Sequence, residues 1–248
     1  MEPADFYTGI VAELYAPLRA FTQDPEPYVQ FIRDTGEPAL ELGCGDGDPL
    51  LDLRRRGIDV EGVDSSADML ERCHRRADEE GLDVVLHHQK MESLDLPRRY
   101  RAIFLAGPTF TLLPDDDSAA QALEGIRAHL EQGGTALVPL FIPPPTPAEQ
   151  LGRVREKADG DGAALRVTAL SEERDEDRRL RRTTLRYERH TPDERTAVDR
   201  QWDLHWHTQD GFRDLARAAG LVTTAIRDPA GHPAATDATE FTFELGRR

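Results

Sequence analysis

Two hydrophobic rhythms divide this chain. Between residues 38 and 141, short apolar runs alternate with stretches whose apolar positions recur every three or four residues. The short runs read as strands: 38–42 (PALEL), 60–64 (VEGVD), 84–88 (VVLHH), 102–106 (AIFLA) and 135–141 (TALVPLF). The longer stretches read as helices. Residues 48–57 carry Asp48 as N-cap, Pro49 in the first turn and Gly57 after the end, and 65–81 open with Ser65 and Asp68 in a capping-box pattern. Residues 118–130 present the stripe Ala119, Leu123, Ile126 and Leu130, stopped by Gly133-Gly134. Upstream, Phe6, Ile10, Leu14 and Leu18 recur at helical spacing, and Pro25 opens a second short helix.

Such alternation predicts parallel strands joined by crossover helices that bury both faces of the sheet. The rhythm changes after the breaker FIPPPTP (141–147), and 163–207 reads as long antiparallel strands. There Val198, Trp202, Leu204 and Trp206 share one face, while Asp199, Gln201, Asp203, His205 and His207 share the other. A helix over 208–219, with Thr208 as N-cap, and strands over 221–226 and 241–245 return to the first architecture. The expectation is one α/β domain interrupted by an antiparallel insertion.

Charge narrows the function. Against 31 Lys+Arg stand 47 Asp+Glu, a net charge of -16, which opposes binding to nucleic acid or an anionic membrane. The insertion is a special case. Between 171 and 200 its nine acids balance nine bases, the pattern of a solvated, salt-bridged ribbon. No apolar run is long enough to span a bilayer, and Met1–Asp5 lacks the start of a secretory signal. Cys44 and Cys73 show neither CxxC spacing nor a disulfide framework, so a cytoplasmic setting with reduced thiols is expected.

The chemistry concentrates in ALELGCGDG (39–47), a strand running into glycines and then a helix. Gly43, Gly45 and Gly47 permit a tight turn that brings backbone N–H groups against a ligand carboxylate or phosphate. The glycine spacing is not that of a dinucleotide fingerprint, and Glu41 beside the loop would repel a pyrophosphate but hold an ammonium. Asp64 ends the next strand, where a carboxylate can accept both hydroxyls of a ribose. S-adenosylmethionine fits the description of a ligand with a ribose, an ammonium and a carboxylate; NAD does not.

With these two motifs the chain resembles the class I S-adenosylmethionine-dependent methyltransferases: ALELGCGDG is similar to their glycine-rich motif and VEGVDSSADML (60–70) to the segment with their ribose-binding acid. VAELYAPL (11–18), the mid-chain insertion and TQDGFRDLARAAGL (208–221) are similar to small-molecule N-methyltransferases acting on amino sugars. The resemblance implies a Rossmann-like, doubly wound, mostly parallel seven-stranded sheet. It implies a helical cap over 1–34, a donor-binding domain over 35–147 and 208–248, and a substrate lid over 148–207. It places Gly43, Cys44 and Gly45 at the methionine part of S-adenosylmethionine with Glu41 near its ammonium, Asp64 at the ribose, and Ser65, Met69, Met91 and Ala106 around the remainder. Lys90 stands where the family usually has an adenine-binding acid.

The expected reaction is in-line transfer of a methyl group to a small molecule, most simply to the amine of an amino sugar, leaving S-adenosylhomocysteine. A neutral amine needs no base; a hydroxyl acceptor would need one, from His205, His207 or Glu188. On the strand pattern both histidines are solvated residues of the polar face, with a cleft-facing imidazole as the competing reading. Tyr15 would close over the donor and touch the transferring group, or else be a core or surface tyrosine. Thr109 and Phe110 should floor the acceptor site. Asp115, Asp116 and Asp117 read as acids complementing a helix dipole, and no metal is expected. A binding protein without turnover is the third reading, and pairing of two ribbons in a homodimer is left open.

Overall fold

The computed structural model describes residues 6–19, 22–158 and 162–247. Residues 1–5 and 20–21 of the expected cap, 159–161 of the expected insertion and Arg248 lie outside the described residues. In chain order, α1 (Ile10–Leu18) and α2 (Glu26–Thr35) precede β1 (Ala39–Leu42), α3 (Leu50–Arg55), β2 (Val60–Asp64), α4 (Ala67–Glu80) and β3 (Leu86–His88). Then follow β4 (Tyr100–Phe104), α5 (Asp116–His129), β5 (Leu130–Phe141) and four strands of a second sheet: β6 (Val154–Ala158), β7 (Ala164–Asp175), β8 (Leu180–His190) and β9 (Arg195–His205). The chain closes with α6 (Gln209–Ala218), β10 (Leu221–Arg227) and β11 (Glu240–Arg247).

The first sheet has seven strands in the order β10-β11-β5-β4-β1-β2-β3. All neighbours pair in parallel except β11, which runs antiparallel to both β5 and β10. All of β1 is buried because helices cover both faces. On one side Leu40, Ile103, Val138 and Phe243 pack with Leu123 and Ile126 of α5 and Phe212 of α6. On the other Ala39, Val60 and Phe104 pack with Ile32 of α2, Leu50 and Leu53 of α3, and Cys73 of α4. The strand order reverses between β1 and β4, and at such a switch point the loops leaving the carboxyl ends diverge and open a crevice.

The four strands of the second sheet form an antiparallel meander that pairs only with itself. Arg182 lies opposite Asp203 and Arg186 opposite Asp199, each guanidinium donating twice to its carboxylate, so the balanced charges of the ribbon become cross-strand pairs. The sheet meets α1 through Leu14, Ala163 and Leu165, with Ile10, Leu18 and Tyr187 packed around them.

Several boundaries differ from the sequence reading. Asp48 does not cap α3: Pro49 occupies that position, and the Asp48 carboxylate instead pairs with Arg19 at 2.9 Å and accepts from the Gln23 amide. The cap of α4 is Ser66 rather than Ser65; its hydroxyl accepts from Met69 N at 3.2 Å and donates to the Tyr7 carbonyl at 2.6 Å. The Asp68 carboxylate reaches the Gly9 amide instead of closing a capping box. In each case a partner distant in sequence wins over the local one.

Candidate functional site

The crevice at the switch point is a cavity of about 380 Å³, within the range of small-molecule sites. Its floor comes from the β1 and β2 exits, with Gly43, Gly45, Val63, Asp64 and Ser65. Met69 of α4 and the segment Gln89–Glu92 after β3 form one side, Thr109 and Leu112–Pro114 after β4 the other. Tyr7 and Tyr15 close it from the N-terminal side, meeting edge to face with ring centroids 5.5 Å apart. Both tyrosines also wall a second cavity of about 150 Å³ between α1 and the antiparallel sheet, lined further by Arg19, Arg155, Tyr187 and Trp202.

The glycine loop is folded tightly onto β2. Gly43 N and Cys44 N both donate to the Val63 carbonyl, at 2.7 and 3.0 Å, and Gly47 N donates to the Cys44 carbonyl. Gly45 N donates to Asp64 Oδ2 at 2.8 Å, while Ser66 N donates to Oδ1. The expected cradle of free amides is therefore spent inside the protein, and α3 is too short and too weakly capped to replace it. What the loop offers instead is space. A Cβ on Gly43, whose φ is +74°, would stand 2.6 Å from Thr109 Cγ2, and one on Gly45 would meet Met69 at 3.3 Å. The two bonds to Asp64 leave lone pairs for two further donors.

Beneath this floor lies an unusual concentration of acid. Glu41 is fully buried, and neither carboxylate oxygen has a hydrogen-bond partner. Burial, and then the neighbouring carboxylates of Asp48, Asp64 and Asp46, push its pKa well above the carboxylate range. Glu61, on the adjacent strand, shows what a structurally satisfied buried acid looks like here. It accepts from Arg98 at 2.9 Å and Tyr100 at 2.7 Å, with His87 Nε2 at 2.8 Å. Asp64 is also raised, chiefly by burial, with the Ser66 and Gly45 amides opposing the shift. Arg19 stands 3.5 Å from Asp46 and 2.9 Å from Asp48, with its guanidinium 5.5 Å from the Tyr15 ring centre, and Arg76 pairs with Asp46 at 3.2 Å. The Tyr15 hydroxyl is raised by burial and then by Asp46, so it stays a protonated phenol at neutral pH.

The cavity thus collects Tyr15, Gly43, Gly45, Asp64, Ser65, Met69, Met91 and Thr109 of the residues singled out from sequence. Others lie elsewhere. Glu41 and Cys44 sit under the floor, with Cys44 packed against Gly62, and Ala106 joins the apolar cluster beside Phe104. Phe110 is not a floor residue: its ring is fully buried against Phe212 and His207, because the turn after β4 points it into the core and leaves Thr109 outward.

His205 and His207 also correct the sequence reading, being buried rather than solvated and standing outside the cavity lining. Alternation in β9 assigns them one face, but that face is covered by the start of α5 and by Phe110 and Phe212. Desolvation lowers His205, and it pushes His207 down to about 3, helped by His205. Glu188 accepts from or faces His190 at 3.1 Å on the ribbon, away from the cavity. Sequence reasoning missed Tyr7, Gln89, Glu92 and Leu112–Pro114; Gln89 and Glu92 could have been found as polar residues at the carboxyl end of the third strand. Among the described residues no helix is long and apolar enough to cross a membrane.

Residues 39–134 match the family model described as a methyltransferase domain. A curated relative, the dTDP-3-amino-3,6-dideoxy-alpha-D-glucopyranose N,N-dimethyltransferase of Streptomyces fradiae, is 30% identical over 150 residues, 57% of each chain. The chain spans about half the length of the curated relatives it matches. Among solved structures, the CcbJ methyltransferase of Streptomyces caelestis superposes with a TM-score of 0.76 at 21% identity, covering 100% of this chain and 98% of that one. The sugar N-methyltransferase KedS8 of a Streptoalloteichus species gives 0.74 at 20% identity, over 97% and 94%. The fold is that of the class I S-adenosylmethionine-dependent methyltransferases.

Proposed function

We propose that this chain, which carries a methyltransferase domain over residues 39–134, moves a methyl group from S-adenosylmethionine to the amine of a small metabolite, an amino sugar in the first instance. The observation that carries the reading is Glu41, a fully buried carboxylate without a partner beneath a loop that is already acidic. Such a buried acid holds its proton in the free protein and ionises most readily against a ligand bearing positive charge. The remaining residues fit the same donor. Asp64 has lone pairs left for a ribose diol, and Met69 and Met91 offer soft faces to a base. Glu92 supplies an acid near the position that Lys90 occupies, as an acceptor for the adenine amino group.

The sulfonium of the bound donor activates its own methyl group, so the protein has mainly to align and to exclude water. Tyr7 and Tyr15 close the cavity on the side where the acceptor would arrive, and alignment of this kind is worth roughly 7–11 kcal/mol of barrier. The Tyr15 phenol, held protonated by burial, can hydrogen-bond an approaching neutral amine without taking its proton. Transfer to a hydroxyl is the weaker reading, since His205 and His207, its expected bases, stand outside the cavity lining.

Titration calorimetry with S-adenosylmethionine and S-adenosylhomocysteine, followed by mass spectrometry of amine- and hydroxyl-bearing nucleotide sugars, tests the assignment. Binding that Asp64→Ala weakens, with mass gained only by amines, is the expected result. Absence of donor binding sinks the reading, hydroxyl methylation replaces its acceptor, and binding without turnover on any acceptor leaves a non-catalytic protein.

A further inference from the structure

The segment leaving β9 meets the first turn of α5 in a cluster that the methyl-transfer reading does not use. Asp116, His205 and His207 each place one ligand atom within 4.8 Å of the other two. His205 Nε2 and His207 Nδ1 lie 3.6 and 3.5 Å from the same oxygen, Asp116 Oδ1. Those separations are too long for hydrogen bonds. Ligands held about 2.0–2.2 Å from a tetrahedral ion stand about 3.4 Å apart, close to the separation of each imidazole from the carboxylate here.

The polar atoms of the cluster are also unspent. Asp116 Oδ1, His205 Nδ1 and both nitrogens of His207 are buried without a hydrogen-bond partner, and His207 as a whole has no exposed surface. Buried imidazoles almost always find a donor or acceptor, so His207, with neither nitrogen partnered and Nδ1 aimed at an orphaned carboxylate oxygen that His205 Nε2 also faces, needs a ligand to complete it. Arg179 donates to Asp116, but to Oδ2, which leaves Oδ1 for the cluster. Asp115 is occupied in capping α5 through Ser118 N, so it and Asp116 have separate roles. The edge-to-face packing of the two imidazoles, with ring centroids 4.7 Å apart, is held by Phe110 and Phe212 behind His207.

We propose that Asp116, His205 and His207 bind a divalent transition-metal ion of the kind that takes imidazole and carboxylate ligands, zinc foremost. Three protein ligands leave a fourth coordination position for water. The ion would fasten the last strand of the antiparallel sheet to a helix of the parallel sheet, beside the Leu112–Pro114 wall of the cavity. This inference is independent of the methyl-transfer reading.

The test uses the full chain, stripped with a chelator and dialysed, and titrated with Zn²⁺ against a chromophoric chelator and with Co²⁺ in the visible range. One equivalent of Zn²⁺ per chain, a tetrahedral Co²⁺ spectrum and a higher melting temperature on loading are expected. Asp116→Asn keeps the side-chain shape at a half-exposed position, so it should fold, and it should weaken Zn²⁺ binding by about 10-fold or more. His205→Ala should abolish the Co²⁺ spectrum, with circular dichroism checking that the variant is folded. Uptake identical in wild type and Asp116→Asn, or no stoichiometric uptake by wild type, overturns the site.

Discussion

Glu41 shows how one side chain can work against the stability of a fold and for its purpose. Its pKa is raised in the folded chain, so the folded state holds a proton that the unfolded state has released. Stability contributed by this position is therefore present below the ordinary carboxylate pKa and is lost as pH rises towards the folded value. Glu41→Gln should flatten that decline and raise the melting temperature of the free protein at neutral pH, measured by thermal melts across a pH series. The same change should weaken S-adenosylmethionine binding. In the wild type, binding should release a proton, seen as a calorimetric enthalpy that varies with the ionisation heat of the buffer; Glu41→Gln should lose this dependence. Gly43 makes a second residue-scale case. Gly43→Ala meets both a positive φ and Thr109 Cγ2, and is expected to cost about 1–3 kcal/mol. Thr109→Ser removes the clashing methyl, so a double-mutant cycle by denaturant melts should show partial recovery. The position of the glycine loop and Asp64 at the strand exits was legible because it is local in sequence, whereas the fate of the loop amides was not. The orphaned state of Glu41 was not, since it depends on what fails to reach it in three dimensions.

At the scale of elements, the start of α4 does two things at once. The Ser66 hydroxyl caps the helix and fixes the Tyr7 carbonyl, tying a helix on the donor side to an aromatic wall of the cavity. Ser66→Ala should cost about 1 kcal/mol as a lost cap, and should also lower donor affinity by letting the wall drift. Chemical denaturation and calorimetry separate the two effects. The alternation of strands and helices read from the sequence matches the seven-stranded sheet, because burial on both faces imposes apolar runs that nothing else explains. Caps were misassigned for a physical reason: Ser65 and Ser66 are equivalent locally, and the choice was made by Tyr7, far away along the chain. Period-two alternation in β9 separated its faces correctly without revealing that the supposed wet face of His205 and His207 is sealed by α5 and two phenylalanines.

Across the whole molecule, α1 joins the two sheets' territories: it packs on the antiparallel sheet through Leu14 and presents Tyr15 to both cavities. Leu14→Ala should destabilise by roughly 2–5 kcal/mol, and protease susceptibility should rise first around α1. Loss of donor closure would appear as a raised KM. The sequence foretold a ribbon of balanced charge but not its seat on α1, because the contacts join residues more than a hundred positions apart. The antiparallel sheet closes its own hydrogen bonds and borrows none from the seven-stranded one. Its loops and outward faces can consequently change without breaking a single rung of the ladder that holds the main crevice open.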